Sequence, residues 1–226
     1  MQKSTGFYLV LTLMLASLTT FAQTTAPTGE IYAGYQYTHL DTSAAQNALN
    51  LATLEAGVPP LNFGRYQNLN GWSFGIQENY NSWFGGVVDV SGGYHTNKNI
   101  SVTTGNVTTT LRVRIHSYTF MGGPQFTMRR SETFQPFVRG LVGAGFFNAS
   151  ANVLVNNVQT IPEIKTDDDN FALGGGAGTD INFSRRLGMR VAVDYIRTAF
   201  YNDNQNNLRG AVSLVYRWGR TPNSRW

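Results

Sequence analysis

Two segments near the end of the chain alternate apolar and polar residues so strictly that they fix both a secondary structure and its sidedness. In residues 187–196 and 208–218, most of the residues at every second position are apolar, and the positions between them hold mainly charged or small residues. Successive side chains of a β-strand point to opposite faces, so this period of two predicts strands. The polar faces carry small residues and opposite charges that suit a narrow interior, which favours a closed barrel with lipid outside.

The same alternation recurs along the chain and predicts an all-β fold, an eight-stranded antiparallel up-and-down transmembrane β-barrel. The predicted strands are residues 30–39, 71–79, 84–94, 111–128, 134–147, 170–183, 187–196 and 208–218. Short turns at 81–83, 129–133 and 184–186 alternate with longer segments at 40–69, 95–110, 148–169 and 198–206. Such sorting is typical of outer-membrane barrels, which have short periplasmic turns and long extracellular loops.

The predicted fourth strand changes parity midway. Its apolar positions are odd-numbered from Leu111 to Ile115 and even-numbered from Tyr118 onward. Either a bulge near His116 and Ser117, or a hairpin that projects above the bilayer, would explain the change. Pro124 cannot donate a hydrogen bond to the ladder and predicts a local irregularity.

The N-terminus has the features of a secretory signal peptide. Lys3 precedes an apolar stretch at residues 7–18, and Ala22 is a small residue at which a signal peptidase could cut. About a dozen apolar residues fall short of the roughly 20 that a membrane-spanning helix needs. We therefore predict a signal peptide at residues 1–22 and one barrel domain at residues 23–226.

The composition excludes several classes of function. The chain has no cysteine, which excludes a disulfide framework and thiolate metal sites. A formal charge of +4 is too small to indicate nucleic-acid binding. Outward aromatic residues near the predicted strand ends are interpreted as the two girdles of a membrane barrel: Trp72, Trp83, Tyr94, Tyr118, Phe134, Phe183, Tyr195, Tyr216 and Trp218.

The predicted inward faces carry four acidic and four basic residues, whose charges cancel: Glu30, Asp89, Asp180, Asp194, Arg139, Arg190, Arg209 and Arg217. An eight-stranded barrel has room for little beyond side chains, and unpaired charges there would be costly to desolvate. We expect an ion-pair network that plugs the lumen. A narrow ion path is the alternative interpretation.

Catalytic chemistry has little support in the sequence. His116 and Ser117 could supply a base and a nucleophile, but neighbours in a strand point to opposite faces. The glycine-rich run at residues 174–178 lacks the lysine and the following helix of a phosphate-binding loop. No enzymatic activity, catalytic residue or cofactor is predicted.

Metal binding is not predicted either. His39, His95 and His116 lie near the same predicted end of the barrel, but without the spacing of a metal-binding motif. Residues 167–169 are three consecutive aspartates, which could attract a divalent cation but are interpreted as a solvated turn.

From about residue 29 to 219 the chain resembles the small outer-membrane β-barrel family, similar to the N-terminal barrel of outer-membrane protein A and to opacity-type surface proteins. The resemblance rests on the order and spacing of segments such as EIYAGYQYTHL, SYTFMGGPQF, PFVRGLVGAGF and NNLRGAVSLVYRWG. It implies an assembly signal at Tyr216 and Trp218, the aromatic pair that ends the last strand. Two departures are Ser213 at a position usually held by glycine and the eight residues that follow Trp218.

The resemblance implies an integral protein of the bacterial outer membrane with a structural or surface-interaction role. Implied partners are outer-membrane lipid, the barrel-assembly machinery with periplasmic chaperones, and unidentified ligands of the extracellular loops. A narrow small-solute porin is the main alternative function, ahead of a lipid-modifying barrel enzyme. The alternative fold is a soluble lipocalin-type barrel, which would turn its apolar face inward.

Overall fold

Nine strands make up almost all of the structure, a computed structural model that describes residues 26–43, 46–47, 50–51, 65–104, 107–155, 158–159, 164–199 and 205–220. The strands are β1 (Gly29–Asp41), β2 (Tyr66–Asn79), β3 (Phe84–Thr104), β4 (Val107–Thr127), β5 (Phe134–Val155), β6 (Val158–Gln159), β7 (Ile164–Asn182), β8 (Leu187–Thr198) and β9 (Gln205–Trp218). The signal-peptide prediction lies outside the described residues. Among those residues, no helix is long and apolar enough to cross a membrane.

Eight of the strands close into an antiparallel barrel, which confirms the predicted fold class. Each of β1 to β5 pairs with the next, β5 pairs with β7, and β7, β8 and β9 follow in order. The ring closes where β1 pairs with β9, from Gly29 opposite Trp218 to His39 opposite Leu208. The two-residue β6 only extends the end of β5.

The apolar faces point outward and the polar faces inward, as the alternation predicts. On β9, Leu214 is 71% exposed, whereas Val215 beside it is 0% exposed and faces the interior with Arg217. On β8, Arg190 is 2% exposed. This orientation contradicts the lipocalin-type alternative, in which Arg190 would face water.

Four strands are much longer than the other barrel strands, and three of them, β3, β5 and β7, extend well beyond their predicted bounds at the hairpin end. β3, β4, β5 and β7 contain 19–22 residues, whereas β1, β2, β8 and β9 contain 12–14. Most of the predicted loops at 95–110 and 148–169 are therefore paired strand, and the prediction of long loops there was wrong. The three aspartates at 167–169 belong to β7 and pair with β5 through Asn148, Phe147 and Phe146, so they do not form a turn.

The parity change in β4 comes from this extension and not from a bulge at His116. Pairing of β4 with β5 runs without a register shift from Thr109 to Gly122, and Arg112 and Arg114 point outward like Phe120. The register irregularity lies instead on β3, between Thr96 and Lys98. Beyond the lipid zone the outer face is polar, so the apolar positions of the sequence change parity while the strand does not.

Pro124 interrupts the β4–β5 ladder, as its missing N–H predicts. Direct pairing stops after Gly122 opposite Val142 and resumes at Gln125 opposite Arg139, in the same register. The interruption therefore leaves the inward position of Arg139 intact.

Candidate functional site

The middle of the barrel interior contains four buried charged side chains, two acidic and two basic, which are here called the central cluster: Asp89, Arg139, Asp194 and Arg209. Arg139 donates from Nε and Nη2 to the two oxygens of Asp194, each at 2.8 Å. Arg209 donates from Nη1 to Asp89 at 2.7 Å and from Nη2 to Asp194 at 2.9 Å. All four side chains are at most 2% exposed. Charges removed from water in this way are stabilised only when they are paired and hydrogen-bonded, as they are here.

A second group lies nearer the short turns and is called here the turn-side cluster: Glu30, Arg129, Asp180, Arg190 and Arg217. Arg190 holds Asp180 through two hydrogen bonds of 2.7 and 2.9 Å, and its Nη2 also reaches Glu30 at 3.0 Å. Arg129 donates to the other oxygen of Glu30 at 2.9 Å. Arg217 lies 3.2 Å from Asp180 and 3.7 Å from Glu30.

Arg129 is the member of these clusters that sequence reasoning missed. It follows β4 and was assigned to a short turn, yet only 2% of its side chain is exposed. The alternation of the sequence does indicate its inward position, because Arg129 continues the series of inward side chains at Gln125 and Thr127 on every second residue. Burial lowers the pKa of the Arg129 guanidinium from its ordinary value, and the Glu30 carboxylate partly offsets that shift.

Tyr32 joins the two clusters into one network. Its hydroxyl donates to Asp89 at 2.7 Å and accepts from Nη1 of Arg139 at 3.1 Å. The guanidinium carbon of Arg190 lies 4.6 Å from the centre of the Tyr32 ring, within the range of a cation–π interaction. The eight charged residues predicted to face the lumen are thus all buried and all within ion-pair distance of another of the set.

Glycine on the inward face makes room for these groups. A Cβ at Gly75 would overlap the Tyr32 ring, and a Cβ at Gly176 would overlap the carboxylate of Asp194. Each of these glycines therefore leaves room for a polar side chain of the neighbouring strand to extend into the lumen.

Toward the long hairpins the interior mixes apolar side chains with buried polar ones such as Gln67, Gln205 and Asn207. Leu40, Leu69, Ile115, Phe147 and Ile196 are each at most 3% exposed. Leu40, Leu69 and Ile196 line a residual cavity of about 20 Å³ together with Arg209 of the central cluster. That volume is close to the space of a single water molecule, so the described part of the lumen is filled by side chains at this level.

The three histidines do not gather at one site, although His39 and His95 both contact Asn68. His39 lies against Asn68 and stacks on Tyr66, whereas His116 meets the edge of Tyr94 on the outer face. His95 contacts the backbone oxygen of Asn68. Within the described ranges, no group of three or more His, Asp or Glu residues has metal-binding geometry.

His116 and Ser117 point to opposite faces of β4 and so do not form a base–nucleophile pair. His116 packs outside the barrel beside Tyr94, while Ser117 lines the small internal cavity near Arg209. The geometry therefore offers no hydrolytic dyad at this position.

The aromatic pair at the end of the last strand faces outward. Tyr216 and Trp218 are 44% and 43% exposed. The Trp218 ring lies over Gly29 of β1, where a Cβ would overlap it. The pair thus sits at the seam between the first and last strands, at the short-turn end.

Comparisons with known proteins agree with this geometry. A family model described as the outer membrane protein beta-barrel domain matches residues 8–217. The structure of Ail, the attachment invasion locus protein of Yersinia pestis, aligns over 86% of this chain and 100% of its own, at 13% identity and a TM-score of 0.51. Neisserial surface protein A aligns over 84% of this chain and 97% of its own, at 8% identity and a TM-score of 0.51. A comparison with curated proteins finds no match.

Proposed function

Since the chain belongs to the outer membrane protein beta-barrel domain family, we propose that it serves the bacterial outer membrane as a closed barrel that carries tall surface hairpins rather than as a channel. The observation that carries this proposal is the filling of the lumen. Two ionic clusters joined by Tyr32 fill the middle and the short-turn end of the lumen, and buried apolar and polar side chains fill it toward the hairpin end, where the residual cavity measures about 20 Å³. An ion entering from the short-turn end would meet paired charges first and this packed layer next.

The contacts within the plug support closure. Arg139 and Arg209 together place four hydrogen bonds on Asp194 and leave it 0% exposed. Opening a path would separate charges that are buried from bulk solvent, which is costly in a low-dielectric interior. The porin alternative has no comparable observation in its favour.

Planar-bilayer conductance tests closure directly. The refolded protein is expected to give no steady channel steps in a symmetric salt solution. A matched variant, Leu69→Ala with Ile196→Ala, enlarges the cavity beside Arg209 but leaves both ionic clusters in place, and it is also expected to remain silent. Steady, voltage-independent openings of the unmodified protein would contradict the proposal.

The surface role rests on the two tall hairpins. Residues 95–104 of β3 pair only with β4, because pairing with β2 ends at Tyr94. Likewise, residues 164–171 of β7 pair only with β5, because pairing with β8 begins at Ala172. The four long strands thus form a wall beyond the closed barrel, and its polar outer face includes Arg112 and Arg114. We assign interaction with extracellular partners to this wall.

Cysteine labelling tests the orientation, because the chain has no natural cysteine. Arg112→Cys lies on the tall wall, and Arg185→Cys lies in the short turn between β7 and β8. In intact cells a membrane-impermeant maleimide should label the first variant, and it should label the second only after the outer membrane is permeabilised. Labelling in the reverse order would contradict the proposed orientation.

Export and assembly complete the proposal. We propose cleavage after Ala22, passage with periplasmic chaperones, and insertion by the barrel-assembly machinery through Tyr216 and Trp218. The position of Trp218 over Gly29 at the closing seam supports a role in the final strand pairing. Mass spectrometry of the protein purified from the outer membrane would identify the first residue after cleavage. The double variant Tyr216→Ala with Trp218→Ala should insert more slowly, whereas the control Tyr195→Ala should insert at the normal rate.

A further inference from the structure

Two arginines lie on the outer face of β4 just beyond the lipid zone. Arg112 and Arg114 are both exposed, and alternation places them on the same face as Phe120. The residues opposite Arg114 on the neighbouring strands are uncharged, Thr96 on β3 and Ser150 on β5. Neither arginine forms an ion pair with a residue that the structure describes. Their positive charges are therefore directed at whatever surrounds the barrel.

An aromatic group lies below the arginines on the same outer face and is called here the interface cluster: Trp72, Tyr94, Tyr118 and His116. Nε1 of Trp72 donates to the hydroxyl of Tyr94 at 3.1 Å. The Tyr94 ring packs edge to face with Tyr118 and with His116, at centroid distances of 5.8 and 5.3 Å. Amphipathic rings are enriched where the hydrocarbon core meets water. The interface cluster therefore marks the membrane surface on β2, β3 and β4.

The height of the arginines above this surface indicates which part of a lipid they can meet. A strand tilted by about 40° gains roughly 5 Å along the membrane normal for every two residues. The Cα atoms of Arg114 and Arg112 therefore lie roughly 10 and 15 Å beyond that of Tyr118. Headgroups of ordinary phospholipids add only about 5–7 Å to each side of the hydrocarbon core. The arginines are thus at the depth of a larger headgroup.

The charge of the outer face differs between the strands of the wall. Asp167 and Asp169 are exposed on β7, two strands away from β4. Asn148 of β5 lies between them and the arginines, and its amide donates to Asp167. The positive charge on β4 is therefore separate from the negative charge on β7, so the β4 side of the wall favours an anion.

We propose that Arg112 and Arg114 bind a phosphate carried on the saccharide headgroup of a glycolipid in the outer leaflet. Guanidinium groups match phosphate oxygens in charge and in donor geometry. Two residues along a strand cover roughly 7 Å, so two long side chains on one face can reach the same phosphate. The interface cluster contacts the lower part of the same lipid. This inference rests on the proposed orientation, with the hairpins outside the cell, and names a partner for the basic side of the wall.

Native mass spectrometry of the refolded protein, released from nanodiscs, tests the site. Phosphatidylcholine nanodiscs contain equal fractions of bisphosphorylated lipid A, of lipid A without phosphates, or of phosphatidylglycerol. The protein is expected to retain bisphosphorylated lipid A in preference to the other two. Equal retention of the phosphate-free lipid, or of phosphatidylglycerol, would overturn the proposal. Lipid in a nanodisc reaches both ends of the barrel, so a failed binding test leaves the orientation intact, whereas reversed cysteine labelling refutes the orientation itself.

Variants separate this site from a general attraction to positive charge. Arg112→Gln with Arg114→Gln should lower the affinity for bisphosphorylated lipid A about tenfold, as expected when two exposed charge contacts are lost. Arg112→Lys with Arg114→Lys keeps the charge and should bind more tightly than the glutamine variant. Arg197→Gln is the matched control, because it removes an exposed arginine of β8 at the same end of the barrel. If the control loses as much affinity as the double glutamine variant, the proposal fails.

Discussion

Replacing Asp194 with asparagine tests whether the charged plug holds the barrel together. The substitution keeps the shape of the side chain but removes its charge, leaving Asp89 to face both Arg139 and Arg209. One amide oxygen can still accept hydrogen bonds, but the amide nitrogen would point its own N–H groups at a guanidinium. Asp194 now accepts four hydrogen bonds, three of them on Oδ2, so at least one donor loses its partner.

The expected loss in free energy of unfolding is about 3–5 kcal/mol, the range for removing one partner of a buried ion pair. Adding Arg209→Met removes the excess positive charge and restores one acid and one base in the central cluster. The double variant should therefore be more stable than the sum of the single changes by about 0.5–3 kcal/mol.

Equilibrium unfolding in urea from lipid vesicles, followed by tryptophan fluorescence, measures both quantities. Arg65→Gln is the matched control, because Arg65 is 66% exposed and pairs with Asp41 at 3.5 Å. Arg65 itself is exposed, and Asp41 keeps its hydrogen bonds from Ser43, so loss of this pair should cost at most about 1 kcal/mol. If Asp194→Asn costs no more than this control, the plug is not a stabilising network and the reasoning fails.

Two further predictions concern the packing of the two barrel faces. Gly176→Ala should destabilise the barrel by about 1–3 kcal/mol, since its Cβ would overlap the Asp194 carboxylate. A Cβ at Gly140 would have no atom within 4 Å, so Gly140→Ala should be neutral or stabilising in the same urea assay. Val212→Arg, on the outward face, should cost about 2–4 kcal/mol in vesicles if that face contacts lipid, whereas Val212→Leu should be nearly neutral. Equal stability of the Arg and Leu variants would refute lipid contact at this position.

The closed part of the barrel was predictable because its alternation has a physical cause on both sides. Lipid selects apolar residues such as Leu214, and the narrow lumen selects paired charges such as Asp194 and Arg209. One register shift would exchange the two faces, so parity alone assigns the inward residues. The eight predicted lumen residues follow from that rule.

The tall hairpins were not predictable from the same rule. Residues 101–110 read SVTTGNVTTT, where neither lipid nor a packed lumen imposes alternation. Arg129 was missed for a related reason, because it lies two residues beyond the end of β4 and outside any ladder. The pairing of ions also depends on distances across the lumen, which parity does not contain.

Because the wall above the barrel is a continuation of four strands, its height can vary during evolution independently of the membrane-embedded part. Inserting two residues in each strand of a hairpin would raise its tip by roughly 7 Å at about 3.3 Å per residue, while every side chain below kept its face. A single added residue would instead exchange inner and outer surfaces from that point upward. Natural length variation in these hairpins should therefore favour even steps.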